Sequence, residues 1–300
     1  MARVLARQSE QDASRPRTDP GARRGARRRV GFLIAGVQKA GTSSLFELLV
    51  QHPQLATSQP KELHFFDDDT LDWTNPDYRA YHRRTGAKKG SVVGGEATPS
   101  YLFWPGALER VQSYNPQMLL VLCFRDPIAR AFSQWCMHRD RDDKRKDFGT
   151  AVRAVRPAAW PLTAPELGGH KRSYVARGYY GQQLRHALEL FPQRQLMLID
   201  YHVAFARLTE TLDRLTDFLG VERMESPHLA HRRPRAAALA ELAPAPRDIE
   251  MLAELYREDL HLFGALSSLD ISAWPTARIS AGSLDPAAYA AQLGGVSTEG

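Results

Sequence analysis

The segment Gly36-Val37-Gln38-Lys39-Ala40-Gly41-Thr42-Ser43-Ser44 places small residues, one lysine and several hydroxyls directly after the apolar run Val30 to Gly36. That is the chemistry of an anion cradle. With the apolar run as a strand and the following segment as a helix carrying Leu45, Leu48 and Leu49 on one face, backbone N–H groups and the positive helix end converge on the loop. Lys39 adds a point charge, and Thr42 and Ser43 can donate further hydrogen bonds. The pattern departs from the Walker A form GxxxxGK[ST], because the lysine lies two residues before the glycine and none follows it. A second apolar run, Met118 to Phe124, leads into Arg125-Asp126-Pro127, and the proline predicts a helix starting there. Arg125 then stands at the carboxyl end of a strand, where open α/β sheets bind ligands, with Ser133 about two helical turns onward. A guanidinium and a hydroxyl so placed suit a second phosphate.

The elements that must hold these groups follow from periodicity. Val30 to Gly36, Met118 to Phe124 and Leu196 to Ile199 are nearly all apolar, as strands buried on both faces of a parallel sheet are. Helical faces follow at Leu184, Leu188 and Phe191, at Leu208, Leu212, Leu215 and Leu219, and at Ile249, Leu252, Tyr256 and Phe263. Strands alternating with such helices predict an α/β fold of three layers, P-loop-like, with a central parallel sheet flanked by helices. Residues 139–172 break the pattern with a charge run and then Pro157, Pro161, Pro165, Gly168 and Gly169, which suits a lid or insert. From about Leu266 the patterning is weak, so residues 266–300 read as a loosely structured tail.

Composition narrows the function. The chain has 300 residues, 43% of them hydrophobic and 25% charged, which excludes fibrous and wholly disordered classes. Its net charge of +6 comes entirely from residues 1–29, where nine arginines face Glu10, Asp12 and Asp19. The remaining 271 residues carry 31 basic and 31 acidic side chains, so the body is neutral and its acceptor need not be acidic. The Arg-rich segment reads as a disordered, solvated tail. Arg28-Arg29 before apolar residues faintly resembles a twin-arginine export signal, but Lys39 cuts the apolar run short of a secretory core. No apolar run approaches the roughly 20 residues of a membrane-spanning helix, and a cytoplasmic protein is expected. Cys123 and Cys136 lack metal-ligand or CxxC spacing and read as buried thiols.

The two phosphate motifs, in this order, resemble those of the sulfotransferases that use 3′-phosphoadenosine 5′-phosphosulfate. The 5′-phosphosulfate loop of that family is similar to Gln38 through Ser44, and its 3′-phosphate motif to Phe124-Arg125-Asp126-Pro127 with Ser133. His52-Pro53, Lys61-Glu62-Leu63-His64-Phe65-Phe66-Asp67, Thr98-Pro99-Ser100-Tyr101, Tyr179 with Gln183-Leu184, and Phe191-Pro192 resemble the heparan-sulfate O- and N-sulfotransferase type. The resemblance runs from about residue 30 to 220, and a sulfotransferase domain over 30–265 is expected. It implies the nucleotide as donor, no metal, a small-molecule or carbohydrate hydroxyl acceptor, and donor contacts from Lys39, Ala40, Gly41, Thr42, Ser43, Ser44, Arg125 and Ser133. Arg233, within His231-Arg232-Arg233-Pro234-Arg235, is the candidate for the basic loop that closes over the nucleotide. Lys61, His64, Thr98 and Pro99 are the candidate acceptor contacts. One departure matters: the glycosaminoglycan enzymes commonly carry lysine where this chain has Ala97, which removes a positive group that would meet an anionic sugar. The sequence leans instead toward a bacterial-type enzyme acting on a small hydroxylated molecule.

Sulfuryl transfer requires alignment of two oxygens and stabilisation of charge on the departing phosphate, which suits Lys39. The acceptor hydroxyl must lose a proton, which suits a carboxylate. Glu62 is the candidate base, from the resemblance and from its apolar neighbours Leu63, Phe65 and Phe66, which predict a raised pKa; His64 is the competing base, and Arg177 and Tyr179 are possible framing residues. Two other readings are disfavoured: a P-loop kinase with Asp126 as magnesium ligand, against which stand the misplaced lysine and Arg125 beside Asp126, and nucleic-acid binding through the arginine tail, against which stand the neutral body and the lack of a basic-aromatic stripe, so no nucleic-acid partner is expected.

Overall fold

In the computed structural model, which describes residues 29–85, 91–141, 147–153, 173–224, 228 and 242–295, the three apolar runs are adjacent strands of one sheet, the last of them at its edge. The elements in chain order are β1 (Val30–Gly36), α1 (Thr42–Val50), β2 (Leu55–Thr57), α2 (Arg79–Arg84), β3 (Val93–Ala97), α3 (Ala107–Tyr114), β4 (Leu119–Phe124), α4 (Pro127–Arg139), α5 (Phe148–Arg153), α6 (Tyr180–Leu190), β5 (Leu196–Asp200), α7 (Tyr201–Ala206), α8 (Leu208–Leu219), α9 (Pro246–Ser267), α10 (Pro275–Ser280) and α11 (Pro286–Leu293). The five strands pair in parallel in the order β2-β3-β1-β4-β5.

This order puts β1 and β4 side by side at the centre, with the chain moving off β1 to one side and off β4 to the other. The carboxyl ends of β1 and β4 therefore border the crevice of a topological switch point, where open α/β sheets take ligands. Both strands are almost entirely buried, which accounts for their unbroken apolar sequence. Pairing continues past the last β1 residue, where the Val37 N–H donates to the Cys123 carbonyl at 2.8 Å and fixes the start of the cradle loop against β4.

β2 and β3 were not foreseen in the periodicity. β3 reads Val-Gly-Gly-Glu-Ala, and a Cβ on Gly95 would lie 2.1 Å from the ring of Phe32 on β1. The ring fills the space a side chain would take, so this strand is built by absence of bulk rather than by β-branched residues.

The carboxyl end of the chain also differs from expectation. Residues 266–295 are not loosely attached: α10 and α11 pack on α9, and their bonds reach the sheet. The Trp274 indole N–H donates to Asp200 at the end of β5, the Thr276 N–H donates to Asp126 Oδ2 at 2.7 Å, and the Tyr289 hydroxyl donates to Asp126 Oδ1 at 2.8 Å. Weak apolar patterning hid this segment because its attachment combines a few scattered buried residues, Trp274, Tyr289 and Leu293, with polar bonds to buried carboxylates. Tyr289→Phe is expected to lower unfolding free energy by about 1–3 kcal/mol, since it withdraws a donor from a buried carboxylate; an unchanged denaturation midpoint would contradict this. Of the expected tail and insert, residues 1–28, 142–146, 154–172 and 296–300 lie outside the described residues.

Cys123 and Cys136 are both buried free thiols, and burial raises the Cys123 thiol pKa. No helix among the described residues is long and apolar enough to cross a membrane.

Candidate active site

The first turn of α1 opens the site. Gly41 precedes it with φ 81°, and no side chain caps the helix, so its leading N–H groups keep their capacity for an external acceptor. Gly41 is required here for two reasons: the left-handed backbone, and the closeness of Phe205 and Tyr201, whose rings would lie 2.5 and 2.9 Å from an added Cβ. Ala40 and Thr42 are buried beneath the loop, Ser44 is half-buried, and Ser43 is exposed.

Lys39 and Arg125 meet across the β1/β4 crevice. The Arg125 guanidinium donates to the Lys39 carbonyl at 3.4 Å and lies over the Tyr201 ring at 5.0 Å from its centroid. Its own carbonyl accepts from the Tyr180 hydroxyl, which fixes the strand tip. Burial, and then the neighbouring positive charge of Arg125, lower the Lys39 pKa. The Arg125 Nε is buried without a hydrogen-bond partner among the described residues. Two partly desolvated cations, an unpartnered guanidinium N–H and an uncapped helix start are jointly a site short of negative charge. A bisphosphorylated nucleotide fits that deficit. Ser133, on the second turn of α4, is half-buried. Arg233 and the rest of 231–235 lie outside the described residues.

Asp126 does not present a metal ligand. It is wholly buried; Oδ1 accepts from the Ala129 N–H as an N-cap and from Tyr289, and Oδ2 accepts from the Thr276 N–H. Its chemistry is structural, and the kinase reading loses its magnesium ligand.

Glu62 through Asp67 form a tight turn with left-handed backbone at Glu62 (φ 62°) and His64 (φ 50°). With Lys39 (φ 71°), three of the four non-glycine residues of positive φ among the described residues belong to candidate site positions. Such conformations cost about 1–3 kcal/mol each and concentrate where geometry is imposed for function. The turn gathers charge. Lys61 Nζ pairs with Glu62 Oε1, His64 Nε2 lies 3.7 Å from Glu62 Oε2, and His64 Nδ1 lies 2.9 Å from Oδ2 of buried Asp67.

The expectation of a raised Glu62 pKa is corrected. Burial pushes it up, as the apolar neighbours implied, but the hydrogen bond from His64 and the Lys61 ammonium together win, and the carboxyl is held at about 2. The same contacts act oppositely on His64: hydrogen bonds to Asp67 and Glu62 raise its pKa to about 10 against the opposing effect of burial. At neutral pH the imidazole is a cation with no lone pair, so Glu62 rather than His64 is the available base. Because the folded-state pKa of His64 is raised, the stabilisation from its ion pairs is complete below pH 6.5 and disappears as pH rises from 6.5 through about 10. An NMR titration should show the His64 ring still protonated at pH 8; titration near pH 6.5 would contradict the assigned contacts.

Two candidate acceptor contacts are reassigned. Thr98 is wholly buried and its hydroxyl donates inward to Glu96 Oε2 at 3.0 Å, while Pro99 is buried beside it. The Thr98 hydroxyl is therefore engaged by a buried carboxylate. Lys61 and His64 remain at the surface of the site. Arg177 is buried with its guanidinium over the Phe103 ring at 4.3 Å, and Tyr179 packs on Tyr256. Ala97 is buried; its carbonyl accepts the Glu62 N–H at 3.0 Å. Tyr201 and Phe205 escaped the sequence reading, although Tyr201 directly follows β5, the same edge position that singled out Arg125.

The arrangement matches a known family. The sulfotransferase domain family matches residues 31–233. The chain is 30% identical over 195 residues to human heparan sulfate glucosamine 3-O-sulfotransferase 3B1, covering 64% of this chain and 46% of that protein. It is 30% identical over 203 residues to human heparan sulfate glucosamine 3-O-sulfotransferase 6, covering 67% of this chain and 55% of the relative. The crystal structure of a sulfotransferase from Alicyclobacillus acidocaldarius superposes with a TM-score of 0.68 at 27% identity, covering 82% of this chain and 99% of that one. The chain belongs to the sulfotransferase domain family. It spans about half the length of the curated relatives named here.

Proposed function

We propose that the protein transfers a sulfonate group from 3′-phosphoadenosine 5′-phosphosulfate to a hydroxyl of a small-molecule or carbohydrate acceptor. One observation carries this reading: Lys39 and Arg125 stand together at neighbouring strand tips over an uncapped helix start, with uncompensated positive charge at two points of one crevice. The loop from Lys39 to Ser44 would hold the 5′ end of the donor, and Arg125 with Ser133 the 3′-phosphate. The donor, when bound, supplies the activated sulfonate.

The chain's own residues account for the remaining chemistry. Glu62, ionised at neutral pH, takes the proton from the acceptor hydroxyl as that oxygen attacks. The His64 cation, itself held by Asp67, keeps the carboxylate oriented and charged. A pKa of about 2 makes Glu62 a weak base while it is paired, so exchange of the Lys61 contact for the acceptor hydroxyl is part of the reading. Lys39 balances charge developing on the departing phosphate oxygen. No metal ion takes part. The absence of lysine at Ala97 supports an acceptor less anionic than a sulfated polysaccharide.

The test is transfer of labelled sulfonate from the donor to phenols, sugars and lipid alcohols, with EDTA present. Turnover insensitive to EDTA supports the reading. Failure with every hydroxyl class, or dependence on a divalent metal, would overturn it.

A further inference from the structure

Glu96 is a buried carboxyl group that the transfer reaction, as described, does not use. It is 0% exposed, near the end of β3. Oε1 accepts from the Tyr101 hydroxyl at 2.7 Å and the Tyr81 hydroxyl at 3.1 Å, and Oε2 accepts from the Thr98 hydroxyl at 3.0 Å. Three neutral hydroxyl donors hold it, and no cation is among them. A buried carboxylate is costly without such complete satisfaction, and an apolar residue would fill the space more cheaply. The donors show what the charge holds in place.

Two of these donors lead to the turn that carries Glu62, Tyr81 by stacking on Phe65 and meeting Phe66 edge-on and Tyr101 by hydrogen bonds. The Tyr101 hydroxyl, while donating to Glu96, accepts the N–H groups of Phe65 at 3.0 Å and Phe66 at 3.4 Å. The Glu62 N–H donates to the carbonyl of Ala97, the next residue on β3. Positions 62, 65 and 66 are thus pinned to the end of one strand, and the left-handed residues Glu62 and His64 fall within the pinned stretch. A backbone conformation that is unfavourable in isolation persists only where its surroundings over-determine it.

We propose that Glu96, as a carboxylate, is a positioning residue that holds the Glu62–Asp67 turn in the form presenting Glu62 to the acceptor. The inference rests on Glu62 as the base. Burial is the largest influence on Glu96; it outweighs the donated hydrogen bonds and pushes its pKa to about 7. The groups facing it are Tyr81 from α2, Tyr101 after β3 and, further off, Tyr114 from α3, and the charge of Asp67 also acts on the Tyr101 phenol. All three phenols have raised pKa values and stay protonated near neutrality. Protonating Glu96 turns one acceptor position into a donor facing other donors, so the turn loosens as pH falls through about 7. Glu62 at about 2 and His64 at about 10 do not titrate there, and Asp259, which burial raises to about 6, binds the start of α6 and not this turn, so loss of the acidic limb in Glu96→Gln is the signature of Glu96.

The experiment compares wild type, Glu96→Gln and Glu62→Gln for affinity toward 3′-phosphoadenosine 5′-phosphate and for kcat between pH 5 and 9. Displacement of the base by Glu96→Gln is expected to lower kcat about 10- to 100-fold at unchanged nucleotide affinity, and to erase the acidic limb seen near pH 7 in wild type. Wild-type kcat and an unaltered limb in Glu96→Gln, with Glu62→Gln inactive, would overturn the positioning role and leave the base assignment intact. Normal turnover of Glu62→Gln would overturn the base assignment and this inference with it. If Glu96→Gln does not fold, Tyr101→Phe keeps the carboxyl and cuts only its relay to Phe65 and Phe66. A kcat loss at unchanged nucleotide affinity then supports the proposal, and wild-type kcat overturns it.

Discussion

Glu62→Gln is expected to bind 3′-phosphoadenosine 5′-phosphate within about twofold of wild type and to lose about 10²–10⁴ in kcat, the range for removal of a positioned general base. The split follows from where Glu62 sits. It belongs to the turn after β2, held to β3, whereas the nucleotide contacts come from the tips of β1 and β4. Gln keeps the shape and one acceptor oxygen but cannot take a proton at neutral pH. It also releases His64 from one of its two carboxylates, so the His64 pKa should fall from about 10 toward the value set by Asp67 and burial. A drop in kcat with a His64 titration still near 10 would mean that the two side chains are not paired in solution. Near-normal kcat would remove Glu62 from the chemistry.

Arg125→Ala is expected to weaken binding of the 3′,5′-bisphosphate by at least about tenfold to a hundredfold while changing the affinity for adenosine 5′-phosphate little, the loss of one charge-assisted phosphate contact. The arginine is held over Tyr201 and against the Lys39 carbonyl, with its Nε buried and unpartnered, so it is placed before any ligand arrives. Its removal also lifts a positive charge from Lys39, whose pKa should rise. That rise favours the charged lysine, which is why 5′-phosphate binding is expected to survive. Equal losses for mono- and bisphosphate would assign the effect to collapse of the strand tip instead.

The parts of this molecule visible in its sequence are those where one residue type does one job. β1, β4 and β5 are apolar because both faces are covered, and the faces of α1, α6, α8 and α9 show helical spacing because each rests on the sheet or its neighbour. The cradle loop was legible for the same reason. β3 was not, because its fit depends on Phe32 occupying the space over Gly95, a contact between residues 63 positions apart. α10 and α11 were missed because they are fastened by Trp274, Thr276 and Tyr289 to carboxylates at two strand ends. The sign of the Glu62 shift was misread although Lys61 and His64 are printed beside it. Apolar neighbours in sequence suggested desolvation, but the left-handed backbone at positions 62 and 64 turns the charged side chains together. Thr98 was misplaced for a related reason: a hydroxyl in a motif does not reveal whether it points to ligand or, as here, to a buried carboxylate.

The central claim is that one nucleotide spans two anion cradles. A crystal structure with 3′-phosphoadenosine 5′-phosphate bound tests it most directly. The expected result is a single nucleotide with its 5′-phosphate on Lys39 and the first turn of α1 and its 3′-phosphate on Arg125 and Ser133. A nucleotide whose phosphates contact only one of these sets, or neither, would contradict the account.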